Sequence, residues 1–113
     1  MRRVVLSGLI AMRFIVIARD GTDPEAPARR QAVRPGHLEG IEPFVRAGNV
    51  LMGGAILDDE GTMRGSVLLV DFPSREELND WLEHDPYVTG DVWREVEVHP
   101  FRPAVGSWMP DAG

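Results

Sequence analysis

A chain of 113 residues, 43% hydrophobic and 27% charged, is long enough for one buried core and too short for two. Its formal net charge of −6 argues against general nucleic-acid affinity, which rests on neutralising phosphates with Lys and Arg, and leaves only a local basic patch open. The lack of cysteine excludes disulfides, thiolate metal sites and cysteine nucleophiles, and is compatible with a cytoplasmic location.

Residues 1–11 form an N-terminal extension in which Met1-Arg2-Arg3 precedes the apolar run VVLSGLIA. Three readings compete: a start placed upstream of a natural Met12, an ordered extra strand, and an export signal. A membrane-spanning helix is not expected, because Arg13 interrupts a run far shorter than the roughly 20 apolar residues such a helix needs.

Residues 12–19 read as a strand rich in Ile, Val and Phe, followed by a polar, proline-bearing loop over 20–27. Residues 28–48 have a helical pattern that places Leu38, Ile41, Val45 and Phe44 on one apolar face. Pro35 predicts a break or kink near Arg34, and Gly48 a C-terminal stop. Residues 50–57 form a second strand, where Gly53-Gly54 marks a bulge or a close approach. A turn over 58–63 leads to a third strand at 65–72. Ser74-Arg75-Glu76-Glu77 is a capping-box pattern opening a helix whose buried face is Leu78, Trp81 and Leu82. Pro86 ends that helix. Residues 92–101 are the last strand, and 102–113 a tail whose Trp108 is expected to dock.

The order βαββαβ defines an α+β, ferredoxin-like plait: an antiparallel four-stranded sheet with two helices on one face. Residues 14–18 and 67–70 are apolar at consecutive positions, as in strands buried on both faces, yet two helices cover only one. A second copy of the sheet is the simplest cover, so a homodimer packed face to face is expected.

Chemistry concentrates in two stretches. RQAVRPGHL ends near His37, a side chain whose ordinary pKa lies near neutrality, and HDPYV offers Asp85 just before a proline. If the fold joins them, His37 and Asp85 make an oriented acid/base pair; otherwise His37 is a backbone-bonded helix histidine and Asp85 a helix end. Arg30 and Arg34 lie seven and three residues before His37, and read either as clamps for a carboxylate or phenolate or as solvated helix arginines. Tyr87 either donates to a substrate oxygen or packs with its hydroxyl satisfied. His84 and His99 look incidental. No pair has the spacing of a helical metal site, and the diglycine is not a phosphate loop, so neither metal nor cofactor is expected.

The segments ARRQAVRPGHLEGI (28–41), AGNVLMGGAI (47–56), RGSVLLVDFPSREE (64–77), HDPYV (84–88) and VEVHPF (96–101) resemble the YciI-like (YCII-related) family of dimeric α/β-barrel proteins. The resemblance covers the domain at 12–101, and its R-x-x-x-R-P-x-H-L and D-P-Y-V elements are specific in combination. It implies dimerisation through the sheets and a pocket with His37 and Asp85 as the pair, and it suggests Arg34, Ser66 and Tyr87 nearby. One relative is a dehydrochlorinase acting on a chlorinated hydroxyquinol, and the wider superfamily includes lactone isomerases and cofactor-free monooxygenases. Ala55-Ile56 and Thr89-Gly90-Asp91 depart from the family pattern, so no substrate is transferred. Ser66 follows Gly65 without a nucleophile-elbow pattern and is assigned to pocket lining.

Together with these residues, the resemblance implies a cofactor-independent enzyme performing isomerisation, elimination or hydrolysis on a small oxygenated, cyclic or aromatic metabolite. The alternative is a noncatalytic metabolite-binding or accessory module of the same fold. Neither reading requires nucleic acid or a membrane.

Overall fold

The computed structural model describes residues 12–106; the expectations for residues 1–11 and for Trp108 lie outside the described residues. In chain order the elements are β1 (Arg13–Asp20), α1 (Ala26–Arg46), β2 (Val50–Leu57), β3 (Met63–Asp71), α2 (Arg75–His84), α3 (Pro86–Thr89) and β4 (Trp93–Pro100). The strands form one antiparallel sheet in the order β2-β3-β1-β4, with the helices on one face, as the ferredoxin-like plait requires.

Register explains the core. Phe14 pairs with Val70 and Val16 with Leu68, and strand alternation turns all four toward the helices. There they join Leu78, Trp81 and Leu82 of α2 in one buried cluster. α2 begins where the sequence pattern places it: extended Ser74 accepts a hydrogen bond from the Glu77 amide at 3.1 Å, a cap that contributes about 1 kcal/mol. Gly65 is required by β1, because a Cβ there would lie 2.4 Å from the Ala18 carbonyl oxygen.

α1 departs from expectation twice. It runs unbroken through Pro35 and also through Pro43. Each proline removes one amide donor, but Gln31 and Glu39, whose carbonyls lose their partners, are exposed and reach water. The expected apolar face is also not the buried one. Leu38 and Val45 are 45% and 49% exposed and Ile41 and Phe44 are half-buried, whereas Ala26, Arg30 and His37 are buried. The physical reason is the cavity described below, which Leu38, Ile41 and Val45 line, while Ile41 and Phe44 also pack against the core. α1 stops at a paired C-terminal motif: Gly48, with φ 87°, donates to Val45 O and Asn49 to Phe44 O, at 3.1 and 2.8 Å.

Two further details refine the sequence reading. The β2 register shifts fall at Val50/Met52 and Ile56/Leu57, not at the diglycine; Gly53 instead makes room for a Leu68 methyl, which a Cβ would meet at 2.6 Å. Pro86 ends α2 and also opens the short α3, where its missing amide costs nothing.

The other sheet face carries Ile15, Ile17 and Val67, half-buried, with Met52 50% exposed. Register places Ile15 beside Leu69 and Ile17 beside Val67. Among the described residues no helix is long and apolar enough to cross a membrane.

Candidate active site

Arg30 and His37 lie two turns apart and so share the face of α1 that meets the sheet. β1 alternates Phe14, Val16 and Ala18 toward that helix, and its last residue, Asp20, continues the series. Arg30 Nη1 therefore meets both Asp20 carboxylate oxygens at 2.9 Å, in a pair whose side chains are 4% and 2% exposed. Such burial demands pairing, since a lone guanidinium there would be heavily penalised. Arg30 Nη2 donates to Ser66 Oγ at 2.8 Å, and Trp93 Nε1 donates to the same oxygen at 3.1 Å. Small neighbours leave room for this convergence: Ser66 pairs with Ala18 on one side and Ala55 on the other.

The fold brings His37 and Asp85 together across 48 residues: Nδ1 lies 2.9 and 3.1 Å from the two carboxylate oxygens. Asp85 is also the cap of α3, accepting from the Tyr87 amide at 2.8 Å. The helix-ending reading and the pairing reading of Asp85 thus hold at once. As an acceptor in both contacts, Asp85 assigns the proton to Nδ1 and leaves Nε2 without a partner among the described residues.

Tyr87 forms the bed of the site. Its ring stacks on His37 with centroids 3.9 Å apart, and the Arg30 guanidinium carbon sits 4.6 Å from its centroid. Burial pushes the Tyr87 phenol above its ordinary value, partly opposed by the positive charges of Arg30 and Arg34. The phenol therefore stays protonated at neutral pH, and its hydroxyl has no hydrogen-bond partner among the described residues.

These groups close one end of a cavity of about 280 Å³ between α1 and the β2–β3 half of the sheet. Arg34, His37, Ser66 and Tyr87 supply its polar end; Leu38, Ile41 and Val45 supply an apolar wall. Arg34 is half-buried and has no ion pair among the described residues, so a cation faces the cavity uncompensated. Arg30 also lines the cavity, but its terminal nitrogens are held by Asp20 and Ser66. The cavity thus combines an uncompensated cation, an imidazole nitrogen and an apolar wall. Among the described residues no group of three or more His, Asp or Glu could hold a metal ion.

The structure thus gathers His37, Asp85, Arg30, Arg34, Ser66 and Tyr87 at one place. His84 and His99 lie on the surface, bound to the Asp80 carbonyl and to Glu97. Ala55, where the chain departs from the family pattern, lines the cavity opposite Ser66. Sequence reasoning missed Asp20 and Trp93. Asp20 had a readable signal, because the period-two pattern of Phe14, Val16 and Ala18 extends to it and a buried arginine needs a carboxylate. Trp93 had none, since its partner Ser66 is 27 residues away and on another strand.

The YCII-related domain model matches residues 12–102. Protein YciI of Escherichia coli is 31% identical over 97 residues, covering 80% of this chain and 97% of the relative. An uncharacterized protein of Haemophilus influenzae is 30% identical over the same shares. Among solved structures, 5-chloro-2-hydroxyhydroquinone dehydrochlorinase of Burkholderia phenoliruptrix, in complex with 2,5-dihydroxybenzoquinone, superposes with a TM-score of 0.71 at 25% identity, covering 81% of this chain and 95% of the other. A protein of Bacteriodes thetaiotaomicron described as an antibiotic biosynthesis monooxygenase shares the fold, with a TM-score of 0.53 at 16% identity over 90% of this chain and 97% of that one.

Proposed function

This chain belongs to the YCII-related domain family, and from that premise we propose that it is a cofactor-independent enzyme moving protons on a small, planar, oxygenated ring. The observation that carries the reading is His37, whose Nδ1 is tied to Asp85 at 2.9 Å while Nε2 is left for a cavity that also receives Arg34. His37 Nε2 takes a proton from an O–H or C–H conjugated with a ring oxygen. Asp85 holds the tautomer that makes Nε2 basic and stabilises the imidazolium that forms. The electron pair released enters the ring; Arg34 neutralises the charge arriving on oxygen, and the Tyr87 hydroxyl donates to it. In an isomerisation the imidazolium returns the proton at another ring position; in an elimination the electron pair expels a leaving anion. The structural neighbour described as a dehydrochlorinase supports elimination as the first reaction to test.

The test is chloride release from 5-chloro-2-hydroxyhydroquinone and binding of 2,5-dihydroxybenzoquinone, the two molecules named for that neighbour. His37→Ala is expected to lower turnover roughly 10²–10⁴-fold while leaving the fold intact by circular dichroism. Unchanged turnover in that variant would remove His37 from the reaction. Binding without turnover in the wild type would favour the metabolite-binding module.

The same reading keeps the cytoplasmic location and the homodimer expected from the sequence. A second copy would cover Ile15, Ile17, Val67 and Met52, and a monomeric mass by light scattering at micromolar concentration would contradict it.

A further inference from the structure

We propose that Ser66 is a specificity-determining residue whose hydroxyl proton is forced toward the cavity, so that the site selects a ligand atom able to accept a hydrogen bond. A serine hydroxyl has one proton and two lone pairs. Both lone pairs of Ser66 Oγ are engaged, by Arg30 Nη2 at 2.8 Å and Trp93 Nε1 at 3.1 Å. Neither donor is free to turn away: Nη1 of the same guanidinium is clamped by both oxygens of Asp20, and the Trp93 residue is 5% exposed. The proton itself finds no acceptor among the described residues. Ser66 is buried on the helix-facing side of the sheet and lines the cavity, so the unassigned direction is the one a ligand occupies.

Two consequences follow for chemistry. Ser66 is a poor nucleophile here, because its attacking lone pairs are already bound and no base among the described residues lies within hydrogen-bond reach of its proton. It is instead a fixed donor, and a ligand presenting N–H or O–H to it would leave two protons facing one another. Asp20, Arg30 and Trp93 act through Ser66 and are positioning residues.

The inference rests on the proposed small-ring ligand, and its test separates the two. The probe is 2,5-dihydroxybenzoquinone, whose acidic enols are ionised at neutral pH and present only acceptors. Ser66→Ala is expected to weaken its binding about tenfold or more, the scale of one hydrogen bond to a charged group. The infrared C–O stretch of the bound probe is expected to move to higher frequency in the same variant. Trp93→Phe keeps the ring packing but frees one lone pair, and should shift that band part of the way. Wild-type affinity and an unmoved band in Ser66→Ala would overturn the inference and leave the His37 reading standing. If the wild type does not bind the probe, the functional reading is what fails, and the ligand-free protein still tests the relay. The Trp93 indole N–H resonance should then move upfield in Ser66→Ala; an unmoved resonance would show that Ser66 does not accept from Trp93, and would overturn the proposal.

Discussion

The two long helices of this protein cover the same sheet face in opposite ways. α2 is conventionally amphipathic: it buries Leu78, Trp81 and Leu82, exposes its charges and opens on a serine cap. α1 buries an arginine and a histidine and leaves Leu38 and Val45 exposed along the cavity. α2 is held by apolar burial, whereas α1 adds to the core contacts of Val33, Ile41 and Phe44 a set of buried polar pairs with Asp20, Ser66 and Asp85. A helix that inverts the usual burial pattern gives up some hydrophobic stabilisation to hold an open cavity with prepositioned polar groups.

Substitutions can break this contrast. Asp20→Ala strands the buried Arg30 charge and is expected to cost about 3–5 kcal/mol by chemical denaturation. Adding Arg30→Met should recover most of that loss, because the penalty comes from the unpaired ion. Leu78→Ala in α2 is expected to cost about 2–5 kcal/mol through an empty cavity, and removing a polar partner elsewhere should recover none of it. If Asp20→Ala were as mild as a surface change, α1 would not be held by charge.

Leu38→Ser probes the cavity side of α1. An apolar residue facing a core would be costly to replace, but this one faces the cavity, so stability should change by no more than about 0.5 kcal/mol. Affinity for a ring ligand should fall. A large loss of stability would mean that the apolar stripe of α1 is core after all.

The smallest effect belongs to the start of α1. There Arg29 grips Asp23 with two hydrogen bonds, at 2.8 and 3.1 Å, and holds its carboxyl at about 2, below the ordinary 3.8. A carboxyl lowered in the folded state contributes stability that is present above its unfolded value and lost as pH falls through the folded one. Wild-type and Asp23→Asn proteins should therefore differ near neutrality and converge between about pH 4 and pH 2. A gap that persists below pH 2 would assign the contact to packing. Salt should narrow the difference, because both side chains are partly open to solvent.

Much of the architecture was legible because it rests on local rules. Strand alternation, the Ser74 cap, Gly48 and the prolines punctuate the chain, and the element order then leaves few topologies. The helix through Pro35 was not legible: a proline rule describes the local cost, whereas Arg30 and His37 anchor the helix on both sides of it. The burial of α1 was misread for a related reason. Periodicity identifies an apolar stripe but not whether core or cavity lies opposite. For the site, His37 and Asp85 stood out by residue type and by resemblance. Their union depends on the packing of α1 against the α2–α3 junction, which no local pattern encodes. Asp20 was reachable by extending the alternation of β1; the Trp93 contact to Ser66 was not.

The ¹⁵N NMR tautomer of His37, taken with the ring neutral in the wild type and in Asp85→Asn, reports whether Asp85 holds the imidazole as a base. Asp85 accepting from Nδ1 predicts the proton on Nδ1 and a free Nε2 in the wild type, with this preference lost in the variant. A wild-type ring protonated on Nε2, or a tautomer indifferent to Asp85→Asn, would contradict an imidazole held by Asp85 as a base for the cavity.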